Sequence, residues 1–422
     1  MTFSKSNINK LQGRLDGVLT EVTTLNPDAE PPLVAPACTI GVTEKDKTVY
    51  LNTKGVTNLN TKEPSTNDHL YAMFSCTKSM TVMGALILYE RGLLDLDAPV
   101  SKYFPEISTI GVLEPEIVDK KTGELKKPLQ SPKTQVTARH LMTHTAGFSY
   151  GFIHPDYFAL ITKAKPRLDA SNPTIEFFLK KTPLVFEPGT GWMYGHSIDW
   201  LGFVMEKIAG KKLGEFLKEE IFDRVGMGSC TFHPRTYDNM NRVHYRKQDG
   251  NLKLQEKFGL PLDPHLDMGG QGCSGTVGDY LKFIRVWLNY GYSPDGNTRI
   301  LSQKTVEYAI RNHLPEEVEL EFIGLAHNLV DDDDAPGKQQ DGWTLTGNAY
   351  NSNKLPSGRP KGTLYWGGLA NLSYWIDFEN GIGGFFAVQV LPYMDEYVVP
   401  YIARFESEVY DVLDGDNVPS KL

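Results

Sequence analysis

Cysteine is scarce in this 422-residue chain: only Cys38, Cys76, Cys230 and Cys273. No two form a C-x-x-C pair, so the chain carries neither a disulfide framework nor a thioredoxin-type redox pair, and a reducing compartment is the simpler expectation. Long apolar runs are missing too. No window reaches the ~18 residues of a membrane span. The first nineteen residues hold no uninterrupted apolar stretch, which argues against a secretory leader. Positive charge is in deficit, with 43 Lys and Arg against 52 Asp and Glu for a net charge of −9. An acidic chain without a basic run is not built for nucleic acid or an anionic membrane surface. What remains is ordinary globular usage, 40% hydrophobic and 23% charged, which excludes a mostly disordered chain. The length allows two or three lobes or one composite domain.

Ile8, Leu11, Leu15, Val18 and Val22 recur at helical spacing and predict an amphipathic helix packing on a sheet. Cys38 to Val42 and Thr48 to Leu51 are β-rich runs around the polar turn Glu44-Lys45-Asp46-Lys47, a predicted hairpin. The segment Ser75 to Arg91 is mostly apolar and predicts a buried helix, with Gly92 where a capping glycine stands. Residues 113–135 are charged and proline-bearing, a surface excursion. Short helices are predicted over 137–145, 174–181, 197–209, 213–221, 277–290 and 302–312. The run Asp331 to Asp334 lacks Ca²⁺-loop spacing and reads as a solvated loop. Residues 363–366 and 371–378 are β-rich, Asn380-Gly381 signals a type I′ turn before another strand, and a helix over 395–413 follows. Strands at both ends with helices between them predict one sheet built from both ends of the chain, an α+β architecture with an inserted helical lobe. The expected division is 1–110 and 265–415 for the α/β lobe, 111–264 for the mainly helical lobe, and 416–422 for a flexible tail.

Ser75-Cys76-Thr77-Lys78 is an S-x-x-K. On a helix, positions i and i+3 share a face, so hydroxyl and amine are neighbours. A serine hydroxyl needs a base to become a nucleophile, and a lysine desolvated among apolar residues loses its charge readily enough to serve. The bland alternative is a helix-capping serine beside a solvated lysine; the apolar helix that follows does not suit a solvated lysine. Tyr194, after the Glu187-Pro188-Gly189 turn, can shuttle a proton if a cation such as Lys78 lowers its pKa; the alternative is a packing aromatic. Trp366-Gly367-Gly368 places two glycines in a strand, which weakens it unless something must approach its backbone closely. An acyl substrate is one such thing, with the Leu369 N–H as an oxyanion donor; a plain bulge is the other reading.

The order Ser75-x-x-Lys78, Tyr194-Gly195-His196, Trp366-Gly367-Gly368 resembles the serine β-lactamase and penicillin-binding-protein superfamily. Within it the chain is most similar to carboxylesterases related to class C β-lactamases and to fungal acyltransferases of polyketide pathways. Three further stretches fit: Arg139 to Gly147 resembles R-x-L-L-x-H-T-S-G, Glu187-Pro188-Gly189 the turn before the tyrosine, and Gly269 to Thr276 the glycine-rich approach to a later helix. The likeness runs over residues 10–412. It implies a β-lactamase-like fold, an antiparallel sheet flanked by helices plus a helical lobe, with the site between them. It also implies a metal- and cofactor-independent acyl-enzyme at Ser75, with Lys78 and Tyr194 as base and acid and the backbone N–H groups of Ser75 and Leu369 as oxyanion donors. Trp366, Tyr150 and His196 are expected to shape the acyl pocket. Two departures point to the substrate. Trp366 stands where penicillin-recognising members carry a lysine in K-[ST]-G, and His196 stands where Asn is frequent. Both favour small neutral esters or thioesters and leave room for only weak β-lactam turnover. Lys121-Thr122-Gly123, in a charged loop ahead of Tyr194, is a coincidental K-T-G.

Two rival readings are kept. Gly147-Phe148-Ser149-Tyr150-Gly151 is a G-x-S-x-G and would make Ser149 the nucleophile of an α/β-hydrolase, but no apolar strand precedes it. A catalytically silent scaffold of the same fold is the other; retention of Ser75, Lys78 and Tyr194 together argues against it. His140-x-x-x-His144 has zinc-pair spacing without the glutamate of H-E-x-x-H or a third ligand, and reads as structural. The terminal Ser420-Lys421-Leu422 has the form of a peroxisomal address and predicts binding to the import receptor.

Overall fold

A computed structural model describes residues 3–256, 258–320 and 341–415. The Asp331–Asp334 run and the Ser420–Leu422 tripeptide lie outside the described residues. The central sheet has seven strands: β1 (Ala37–Glu44), β2 (Thr48–Gly55), β3 (Gly342–Trp343), β4 (Ala349–Tyr350), β5 (Leu364–Gly368), β6 (Leu372–Asp377) and β7 (Ile382–Ala387). Their spatial order is β2-β1-β7-β6-β5-β4-β3, and every neighbouring pair is antiparallel. The N-terminal hairpin thus pairs with the last strand, and one sheet is built from both ends of the chain. All eight residues of β1 are buried, as expected of a strand covered on both faces.

Neighbouring aromatics on the inner strands divide between those faces, because successive side chains point opposite ways. Phe385 and Tyr374 pack on Tyr280 of the helix Val277–Leu288. Phe386 and Trp375 pack on Phe405 of the helix Val399–Asp414. The helix Lys5–Thr23 lies beside the latter and buries Leu11, Leu15, Val18 and Val22, with Ser4 as its N-cap. The helix Thr77–Glu90 is buried along twelve residues from Thr77 to Leu88. Against it packs Ser197–Ala209, the longest helix within residues 111–264, a stretch that also holds Ala138–Met142, Pro155–Thr162 and Ile175–Lys181.

Several elements differ from expectation for local reasons. The helix predicted over 137–145 ends at Met142, because His144 takes a left-handed φ of 58° and turns the chain inward. The helix predicted over 213–221 is regular only over Leu213–Leu217 and then widens into an i→i+5 turn. The last helix begins at Val399 rather than 395: the Asp395 carboxylate accepts the N–H groups of Tyr397 and Val398 and holds a turn there. At Asn380-Gly381 only Gly381 has a positive φ, so the turn is not type I′; the Asp377 carboxylate, bonded to Asn380, organises a longer loop. The 113–135 excursion is partly anchored, since Leu113, Ile117 and Val118 bury against Tyr157 and Leu160.

Candidate active site

The chain reaches Ser75 through a strained residue. Phe74 has a φ of 45°, a left-handed conformation that costs a bulky side chain about 1–3 kcal/mol and that clusters at functional sites. A single 3₁₀ turn, Phe74–Cys76, then carries Ser75 into the helix on whose first turn Lys78 lies. Lys78 is fully buried. Its Nζ donates to the Gly270 carbonyl (2.8 Å) and to Tyr150 Oη (3.2 Å), and stands 3.1 Å from Ser75 Oγ. Burial pushes the Lys78 pKa down from 10.5 to about 7; the nearby Asp199 and Cys76 pull it partly back up. At neutral pH a large fraction of this lysine is therefore a free amine with a lone pair beside a hydroxyl.

Asp199 is itself buried. It accepts the Gly270 N–H at 2.7 Å and the Nδ1–H of His196 at 3.0 Å. His196, Asp199, Gly270 and Lys78 thus form one connected polar chain. His196 points along that chain and into a cavity on the far side of Tyr150, not to Lys78. The third lysine contact belongs to the Tyr150 hydroxyl, a residue the sequence placed only in the pocket wall.

Tyr194 Oη accepts a hydrogen bond from Trp366 Nε1 at 2.9 Å. The tyrosine ring lies 4.5 Å from Lys78 Nζ and packs among Trp192, Trp343 and His144. The expectation that Lys78 lowers the Tyr194 pKa is corrected. Burial dominates and holds the phenol well above its usual value, and hydrogen bonds to Ser75 and Trp366 only moderate this. A phenol so placed keeps its proton at neutral pH and suits the role of acid.

Two glycines are fixed by close approach. A Cβ on Gly195 would lie 2.4 Å from the Phe148 carbonyl oxygen, so the Tyr194 loop passes the 148–149 backbone only as glycine. A Cβ on Gly368 would lie 2.7 Å from the Met73 carbonyl oxygen. What Gly368 admits is therefore the loop leading to Ser75, rather than an acyl group as the sequence suggested.

Ser75, Tyr150, Tyr194, Trp366, Gly367, Gly368 and Leu369 line one narrow cleft, joined by Phe74, Gln271 and Tyr393. Lys78 lies beneath it and His196 opens into the adjoining cavity. Asp199, Gly270 and Tyr393 were not anticipated. Asp199 left one signal, the single charged side chain in the stretch 198–205, at i+3 from His196. Ser149 is fully buried, and its hydroxyl faces the Tyr150 carbonyl at 3.5 Å, a contact with its own backbone. His140 completes a capping box with Thr137. The Lys121 and Thr122 N–H groups bond the Asp119 carboxylate in an exposed turn.

The Beta-lactamase family model matches residues 28–406. The chain is 30% identical over 369 residues to a lovastatin esterase of Penicillium rubens, covering 83% of this chain and 87% of that one. It is 28% identical over 362 residues to acyltransferase calJ of Penicillium decumbens, covering 82% of each. Among solved structures it superposes with TM-score 0.75 and 25% identity on a simvastatin synthase mutant from Aspergillus terreus, over 94% of this chain and 93% of that one.

Proposed function

The chain belongs to the Beta-lactamase family, and on that premise we propose that it is a serine carboxylic-ester hydrolase or acyltransferase working through a Ser75 acyl-enzyme. The observation that carries this is the fully buried Lys78 amine 3.1 Å from Ser75 Oγ. In its free-base form Lys78 takes the Ser75 proton as Oγ attacks the acyl carbonyl. The backbone N–H groups of Ser75 and Leu369 hold the oxyanion, in a cleft that both residues line. Tyr194, protonated and fixed by Trp366, gives its proton to the departing oxygen. The proton that Lys78 took from Ser75 returns to the Tyr194 phenolate, whose ring lies 4.5 Å from Lys78 Nζ, so both groups end as they began. Water or an alcohol then attacks the ester of Ser75 with the same groups acting in reverse. Relatives named as an esterase and as acyltransferases support both fates of the acyl group.

The substrate is a small neutral ester or thioester. Trp366 offers an indole where a cation would read a carboxylate, and this holds β-lactam turnover low. The two-lobed division, 1–110 with 265–415 against 111–264, belongs to the same proposal and puts the cleft at the seam. We further propose delivery to peroxisomes on the sequence Ser420-Lys421-Leu422 alone. A fluorescent fusion that stays diffuse with the tripeptide at its end refutes that part. The chemistry is tested by Ser75→Ala, which removes ester turnover by at least ~10³-fold with the fold kept; a variant near the wild-type rate refutes it.

A further inference from the structure

The narrow cleft at Ser75 opens past Phe74, Tyr150, Phe152, Gln271 and Leu369 into a second cavity of about 370 Å³, and those five residues line both spaces. Phe177, Phe232 and Leu260 are among its walls. Its rim carries three of the eight large hydrophobic side chains that the described residues expose: Phe152 (69%), Phe158 (51%) and Phe258 (42%). Exposed aromatics gathered around one opening mark a binding surface rather than scattered surface apolarity. Among the described residues that line the chamber none is Asp, Glu, Lys or Arg. An occupant bearing a charge would meet only the His196 imidazole, which already bonds Asp199, and would lose its hydration.

Which half of an ester enters is set by Tyr194. The two substituents of the reacting carbonyl lie on opposite sides of the carbon that Ser75 attacks. The departing oxygen must face the phenol that protonates it. Tyr194, with Trp366 and Tyr393, lines the narrow cleft and not the chamber. The other substituent, the acyl chain, is left facing the opening beside Leu369.

We propose that the chamber takes the acyl half of the substrate, an uncharged apolar chain much longer than acetyl, while the alcohol half departs along the narrow cleft by Tyr194. This rests on the Ser75 reading above and adds the acyl class. The test measures kcat/KM for p-nitrophenyl acetate, butyrate, hexanoate and octanoate, and in parallel for the acetates of ethanol, hexanol and octanol. Burial of each added methylene is expected to raise kcat/KM about fourfold along the acyl series until the chamber is filled. The alcohol series shows no such rise. Phe158→Asp, at an exposed rim position where the fold tolerates a charge, lowers the octanoate-to-acetate ratio of kcat/KM by about tenfold. A rise along the alcohol series instead overturns the assignment of the halves. Flat profiles in both series, with acetate turnover that Ser75→Ala abolishes, overturn the chamber as a substrate site and leave the Ser75 reading standing. Absence of Ser75-dependent turnover with every ester overturns the Ser75 reading and this inference with it.

Discussion

Replacing Lys78 with methionine removes the amine and keeps an unbranched apolar stem in a fully buried position. The wild-type amine titrates near 7 in the folded protein against 10.5 for a free lysine, because burial strips its hydration. The unfolded chain therefore binds more protons than the folded one between those two values. Wild-type stability consequently rises with pH across that window and levels off above it. At about 1.4 kcal/mol per unit, the ionisation penalty on folding is about 4 kcal/mol at pH 7 and about 2 kcal/mol at pH 9. Methionine carries no such penalty at either pH. It does forfeit the bonds to Gly270, Tyr150 and Ser75, at about 1 kcal/mol each, a loss that is the same at both values. The stability of Lys78→Met relative to wild type should therefore fall by about 2 kcal/mol between pH 7 and pH 9. Urea unfolding followed by circular dichroism at the two pH values measures it, with equal m-values as the control for a two-state transition. A difference that does not change with pH refutes the depressed lysine, and with it the general base.

Asp199→Asn removes the charge that partly restores the Lys78 pKa, so the acid limb of the kcat/KM profile, near pH 7 in the wild type, should move to lower pH; a move upward contradicts the electrostatics. Trp366→Phe removes the N–H held by Tyr194 Oη, so alkyl esters, which need their leaving oxygen protonated, should lose about tenfold in kcat while p-nitrophenyl esters change little. Equal losses for the two ester classes would take Tyr194 out of the acid role.

The parts of the site that are near in sequence, or that repeat a pattern, were legible. Ser75 and Lys78 share one turn, and the apolar residues after Lys78 already implied its burial. The sheet from both chain ends followed from β-rich runs flanking a helical middle. What could not be read were couplings between segments far apart. The Lys78–Gly270 bond joins positions separated by 192 residues, and the Tyr150 bond joins positions separated by 72; no local spacing announces either. The Tyr194 pKa was misjudged for the same reason, because a neighbouring lysine is visible in a motif whereas burial by Trp192, Trp343 and Trp366 is not. Gly368 was attributed to substrate approach when the Met73 carbonyl, brought in by tertiary packing, occupies that space.

Labelling with a serine-directed fluorophosphonate followed by peptide mapping identifies the nucleophile. The label should sit on Ser75 and disappear in Lys78→Met, since the hydroxyl without its base does not attack the probe. Label on the peptide containing Ser149 would refute Ser75 as the nucleophile.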